Sequence, residues 1–251
     1  MDSMVDAFVV DSTIDPCAND TTGEMVFIPK GVFLFGQANT EVDIPHNYCI
    51  DKTEVTVAAW QVCVASGGCE GYENWDFCKE PDQEKSPNQC LANRDNYPAN
   101  YIDWFRAEAY CRWANKRLPH GAEWEKAARG EWGRKFPWGD ILNCSRAHIG
   151  RGTVFDSCLD VGGLPNRPVA VGSYPTGASP YGVLDMSGNV KEWIEFREDP
   201  TQPPPEGQFA VSRGGSYSVG EWMVTAYAGD GTLGPDISSQ GHGFRCAMDA
   251  K

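Results

Sequence analysis

Apolar positions recur every three or four residues in two stretches of the chain, and these predict its main helices. After Asp103, a good N-cap, WFRAEAYCRWANKR places Trp104, Ala107, Cys111 and Ala114 on one face, with Lys116 and Arg117 suited to the C-terminal dipole and Pro119 as the stop. GAEWEKAAR forms the second helix and ends at Gly130, a natural C′ residue. A shorter helix, VAAWQVCVAS, is capped by Thr56 and stopped by Gly67 and Gly68. MVFIPKGVFLFG carries β-rich apolar residues on both sides of Pro-Lys-Gly and reads as a hairpin, with IPHNYCIDKTEVT as a further extended piece. From Gly130 onward, turn-rich segments separate short β-like runs, the last being FAVSRGGSYS and HGFRCAMD. The pattern predicts an α+β fold with two main helices on small antiparallel sheets and extensive structured coil. Residues 1–23 are polar and acidic and read as an N-terminal arm, and residues 24–251 as one domain.

Composition sharpens this picture. The 251 residues carry 21 basic and 35 acidic side chains, a net charge of −14, which repels phosphate backbones and anionic membranes and argues against nucleic acid as a partner. Ten cysteines without a CxxC spacing fit disulfides in an oxidising compartment better than zinc, which implies a secreted, cell-surface or periplasmic protein. Neither a signal peptide nor an 18-residue apolar span is legible, so the chain reads as a mature form without membrane insertion. Proximity pairs Cys63 with Cys69, Cys78 with Cys90 and Cys144 with Cys158, and a bridge from Cys17 to a residue such as Cys49 would tie down the arm. The stretch from Gly71 to Tyr97 is then an irregular loop clipped by its own bridge.

YPANYIDWFRAEAYCRWANKRLPHGAEWEKAARG, FPWGD, RPVAVGSYPTGASPYGVLDMSGNVKEW, SRGGSYS and GFRCA occur in that order. Together they resemble the sulfatase-modifying-factor, or formylglycine-generating-enzyme, domain over about residues 24–249. The resemblance implies a C-type-lectin-like fold and a disulfide between Cys111 and Cys246. It also implies a structural calcium ion held by the side chains of Asp185 and Glu192 and the carbonyls of Gly188 and Val190, an oxygen set that suits this hard cation. The alternative reading of the same residues is a turn capped by Asp185 with Glu192 paired to an arginine. A second calcium site of the family uses an asparagine where this chain has His148, a poor calcium ligand, and is not expected here.

Catalytic members carry two cysteines five residues apart after the GGS(Y/W) motif, and as soft thiolates these bind Cu(I) for oxidation of a substrate cysteine. Counting from Tyr217 puts Val219 and Val224 at those positions, so no copper chemistry and no catalytic residue are expected. A related branch binds iron through three histidines, but His46, His120, His148 and His242 lack a helical i, i+4 pair. No phosphate loop, GxSxG elbow or HExxH is present. What remains is the surface with which the family holds an extended peptide, where Tyr217, Trp222, Met223, Tyr227 and Asp230 either form a ligand-binding face or belong to the core. The sequence therefore points first to a secreted, non-catalytic domain recognising a protein, peptide or glycan ligand. A metal-dependent oxidoreductase with a non-standard site, and a structural, assembly or immunity-type subunit able to self-associate, are the alternatives.

Overall fold

Proline at position 29 decides how the first strands pair. The computed structural model describes residues 15–18, 23–72, 76–79, 86–149, 166–196 and 210–251. The hairpin expected across Pro29-Lys30-Gly31 does not form. The tight turns that close two-residue hairpins need a positive φ at the first central position, which proline cannot adopt. Instead β1 (Met25–Ile28) lies antiparallel to β4 (Tyr48–Asp51), with Val26 opposite Ile50 and Ile28 opposite Tyr48. β9 (Ala247–Asp249) covers the other edge of β4. β2 (Gly31–Phe35) pairs with β3 (Thr40–Ile44) through a turn in which Gly36 and Asn39 both have positive φ. The third sheet, ordered β7-β6-β5-β8, comprises β5 (Lys191–Trp193), β6 (Ala210–Arg213), β7 (Gly229–Leu233) and β8 (His242–Phe244). Here β5 and β8 run parallel. The small sheets are therefore not all antiparallel, because β5 and β8 are joined by a long connection through β6 and β7 rather than by a hairpin.

The helices follow their capping signals. α1 (Val57–Ala65) starts where the Thr56 hydroxyl accepts from Ala59 N at 3.2 Å, and Gly67 follows its end with φ 76°. A single turn, α2 (Asp76–Lys79), sits in the clipped loop. α3 (Trp104–Trp113) is capped by Asp103, which accepts from Arg106 N at 2.8 Å. It ends four residues before Arg117, the last residue of the expected helix, because Asn115 takes φ 56° and the two cations beyond it leave the helix for buried acids. Lys116 Nζ lies 2.5 Å from Asp51 Oδ1 with its side chain fully buried, and Arg117 forks onto both oxygens of Glu123 at 2.7 Å. A buried carboxylate is worth more to a cation than a helix terminus is. α4 (Gly121–Arg129) begins with the Glu123 side chain accepting from His120 N and ends at Gly130, φ 69°.

α1 and α3 share one core, in which Trp60 stacks on Tyr110 at 5.8 Å and both rings meet Phe244 edge-on. The indole N–H groups of Trp104 and Trp193 are satisfied by the carbonyls of Ile194 and Ile102. A second core joins Trp124 of α4 to Ile28, Phe33, Ile44, Tyr48 and Ile50 of the first two sheets. Disulfides link Cys17 to Cys49, Cys63 to Cys69, Cys78 to Cys90 and Cys111 to Cys246, the last tying α3 to the segment before β9. Cys144 is also bonded, and its expected partner Cys158 lies outside the described residues. Among the described residues no helix is long and apolar enough to cross a membrane.

Candidate functional site

The segment from Leu184 to Trp193 threads between the two cores and carries acids into the protein interior. Asp185 stands on a left-handed residue, φ 58°, and its Oδ2 accepts from Gly172 N at 2.6 Å. Gly188 follows with φ 85°; a Cβ there would lie 2.2 Å from the His148 carbonyl oxygen, so only glycine passes. Val190 is fully buried, and Glu192 enters β5 fully buried. Arg245 clamps Glu192 through Nε to Oε2 at 2.6 Å and Nη2 to Oε1 at 2.7 Å, while Trp124 Nε1 donates to Oε2 at 2.6 Å. The arginine partner weighed for Glu192 is thus present. With two donors on Oε2 and one on Oε1, the lone pair still open is on Oε1.

A residue that no motif singled out completes this cluster. Glu54, 1% exposed, accepts from Asn189 Nδ2 at 3.0 Å and leaves Oε2 without a donor among the described residues. Burial, followed by the charges of Asp185 and Glu192, pushes the Glu54 carboxyl well above the ordinary glutamate range. Burial likewise raises Asp185, against the pull of the Gly172 N–H and Arg245. Three carboxyls therefore face one guanidinium. Nothing in the local sequence around Glu54, DKTEVT, signals this role, which depends on long-range convergence.

Val219 and Val224 come together in one apolar cluster with Phe136, Ala147 and Ile149, against which Trp138 and Leu142 also pack. Val224 is fully buried. Phe136 stacks on Trp138 at 5.4 Å and roofs this cluster with aromatic rings. Of the expected ligand-binding residues, Trp222 is 71% exposed, whereas Tyr217 is 8% exposed, stacks on His148 and donates its hydroxyl to Gln240 Oε1 at 2.8 Å. Tyr227 is half-buried, with the Arg129 guanidinium 5.3 Å from its ring centroid. Asp230 lies on β7 opposite Ser212. The structure thus presents Trp222 to solvent and draws Tyr217 inward.

The four histidines are dispersed. His148 Nε2 bonds the Arg167 carbonyl between the rings of Tyr174 and Tyr217; His242 stacks on Trp193; His120 caps α4. His46 converges with Glu123 and Asp249, but Arg117 bonds both acids and fills the charge that a metal would supply there.

The profile of the sulfatase-modifying factor enzyme 1-like domain matches residues 10–250. The chain belongs to this family. Among sulfatase-modifying-factor relatives, the formylglycine-generating enzyme of Streptomyces coelicolor is 39% identical over 178 residues, covering 64% of this chain and 55% of that protein. The hercynine oxygenase of Mycolicibacterium smegmatis is 30% identical over 251 residues, covering 78% of this chain and 55% of that protein. The chain spans about half the length of these curated relatives. Among solved structures, CarF superposes with a TM-score of 0.65 at 20% identity over 91% of this chain and 98% of that one. PvdO from Pseudomonas aeruginosa gives 0.64 at 19% identity over 94% and 97%. The fold is accordingly α+β, the C-type-lectin-like fold of the formylglycine-generating-enzyme type.

Proposed function

We propose that the chain is a secreted, non-catalytic binding domain on a formylglycine-generating-enzyme scaffold, recognising a protein, peptide or glycan ligand. The observation that carries this reading is the union of Val219 and Val224 in one apolar cluster, at the positions where the family resemblance puts the thiolate pair. Valine offers a soft metal no lone pair. Beside this cluster Trp222 stays 71% exposed, a large apolar side chain with few rotors to freeze, as binding anchors require. Tyr217, drawn inward, Tyr227 on the same loop and Asp230 on the strand that follows complete the proposed set. The disulfides fit an oxidising, extracellular setting.

The same reading includes one structural calcium ion at Asp185 and Glu192 with the carbonyls of Gly188 and Val190. The donorless Oε2 of Glu54 and the excess of carboxyls over the single guanidinium of Arg245 favour a divalent cation in that space. Calcium there would neutralise buried charge and fix the turn that positions β5.

The test combines elemental analysis with binding. The dialysed protein is expected to carry calcium near one per chain without copper or iron, to consume no oxygen with a cysteine peptide, and to bind features of peptide or glycan arrays. Binding is expected to fall about tenfold or more in Trp222→Ala, the scale of an anchor residue. Stoichiometric copper or iron with oxygen uptake would sink this reading in favour of an oxidoreductase, the activity that the names of several relatives suggest.

A further inference from the structure

A cavity of about 370 Å³ opens between the loop after α1 and the first two turns of α3, lined by Trp60, Cys69, Glu70, Asp103, Phe105 and Arg106. None of these residues belongs to the Asp185–Glu192 cluster or to the loop that carries Trp222. Its size falls within the range of small-molecule sites. Glu70 and Asp103 stand against the single guanidinium of Arg106, so the lining keeps a surplus of negative charge. Arg106 donates from Nε and Nη2 to Glu70 Oε2 at 3.0 and 2.7 Å, and from Nη1 to Asp103 Oδ2. Asp103 Oδ1 takes the Arg106 backbone N–H at 2.8 Å. Both bonds to Glu70 fall on Oε2, which leaves Oε1 open among the described residues, on a side chain that is 64% exposed. The Phe105 ring, 45% exposed, lines the same space.

The charge and the walls together select the ligand. An anion would meet the surplus carboxylate in a chain whose net charge is −14, whereas a cation is drawn to both. A metal ion does not fit: among the described residues no third carboxylate, histidine or thiolate converges on Glu70 and Asp103, and Cys69 is held in its disulfide with Cys63. An organic ammonium asks for less. Its N–H groups need acceptors, which the open Glu70 Oε1 and the remaining lone pairs of Asp103 supply. Its charge is favoured beside an aromatic ring such as that of Phe105, and its alkyl chain can rest on the apolar wall. Arg106 carries further interactions, so the acids rather than its N–H groups supply the contacts to a ligand. We propose that this cavity binds a primary alkylammonium group. The site is independent of the binding face around Trp222.

The test titrates the full chain with n-butylammonium, tetramethylammonium, 1-butanol and butyrate at low salt, read by saturation-transfer NMR. Butylammonium is expected to bind with a dissociation constant on the order of a millimolar, the scale for so small a ligand. It should bind about threefold or more tightly than tetramethylammonium, which has no donor, than butanol, which has no charge, and than butyrate, which has the opposite one. Glu70→Gln and Phe105→Leu alter exposed side chains and are expected to keep the parent melting temperature. Glu70→Gln removes the surplus charge, so the preference for butylammonium over butanol should disappear. Phe105→Leu keeps the apolar contact without the ring and is expected to weaken butylammonium about two- to fivefold, while Trp222→Ala leaves it unchanged. Nα-acetyl-lysine methylamide separates the sources of the group: binding as tight as that of butylammonium assigns the site to a lysine side chain of a protein or peptide, and its exclusion assigns it to a free amine. Failure of butylammonium to bind, equal binding of tetramethylammonium or butanol, or a preference that survives Glu70→Gln overturns the proposal. If butylammonium fails while a Trp222-dependent array ligand persists, the ammonium site is refuted and the binding-domain reading stands.

Discussion

Glu123 shows how one carboxylate can organise a neighbourhood. It accepts the Arg117 fork, His46 Nε2 at 2.9 Å and the backbone N–H of His120 at 2.8 Å. Burial alone would raise its pKa, but the bonds and charge of Arg117, then His46 and the backbone, override burial and hold it below the ordinary glutamate value. A depressed folded-state pKa gives stability that is present above the unfolded value, about 4.3, and is lost as pH falls through the folded one. Glu123→Gln is therefore expected to flatten the acid limb of melting temperature against pH. At neutral pH it should cost about 1–3 kcal/mol by chemical denaturation. An acid limb identical to that of the parent would show that Glu123 does not govern it. At this scale the sequence was unevenly legible. Val219 and Val224 are found by counting from a motif, because the motif lies only a few residues away. Glu54 is invisible, because its raised pKa comes from burial and then from Asp185 and Glu192, which are more than a hundred residues distant.

Elements were legible wherever a single local rule decided them. Thr56, Asp103 and Gly130 mark helix ends by side-chain chemistry and φ, and all three stand where the sequence pattern puts them. Gly130 meets a second demand: at φ 69° a Cβ would lie 2.8 Å from Pro180 Cγ. Gly130→Ala is accordingly expected to destabilise by about 1–3 kcal/mol through backbone strain and overpacking, read as a lower urea midpoint at unchanged slope. The elements that departed from the pattern did so for non-local reasons. β1 and β2 do not pair because proline forbids their turn and β4 offers β1 a fully buried partner. α3 stops early because Asp51 and Glu123 claim the cations that would have extended it. Strand order and the parallel β5–β8 pair have no signature in residue spacing; family resemblance supplied the fold.

Across the whole molecule, long-range links compensate for short strands and abundant coil. The Cys111–Cys246 bridge spans 135 residues and lies within the first core, tying α3 to the segment that leads into β9. Replacing both cysteines by alanine is expected to cost about 5 kcal/mol in the chain-entropy model. The buried acid cluster is the second such link, since Glu54, Asp185, Glu192 and Arg245 come from three distant segments. Without a cation, the carboxyls exceed the guanidinium and their repulsion works against the fold; the calcium ion proposed for this cluster would reverse that sign. Free calcium is therefore expected to raise the melting temperature in proportion to the logarithm of its concentration, by an amount equivalent to about 2.7 kcal/mol at a hundredfold excess over the dissociation constant. Chelation removes the gain. Glu54→Gln relieves the repulsion in the chelated protein, so its melting temperature there should exceed the parent's, and the further rise on adding calcium should shrink. A parent protein whose melting is indifferent to both calcium and chelator would mean that Arg245 alone balances this cluster, and the calcium assignment would be withdrawn.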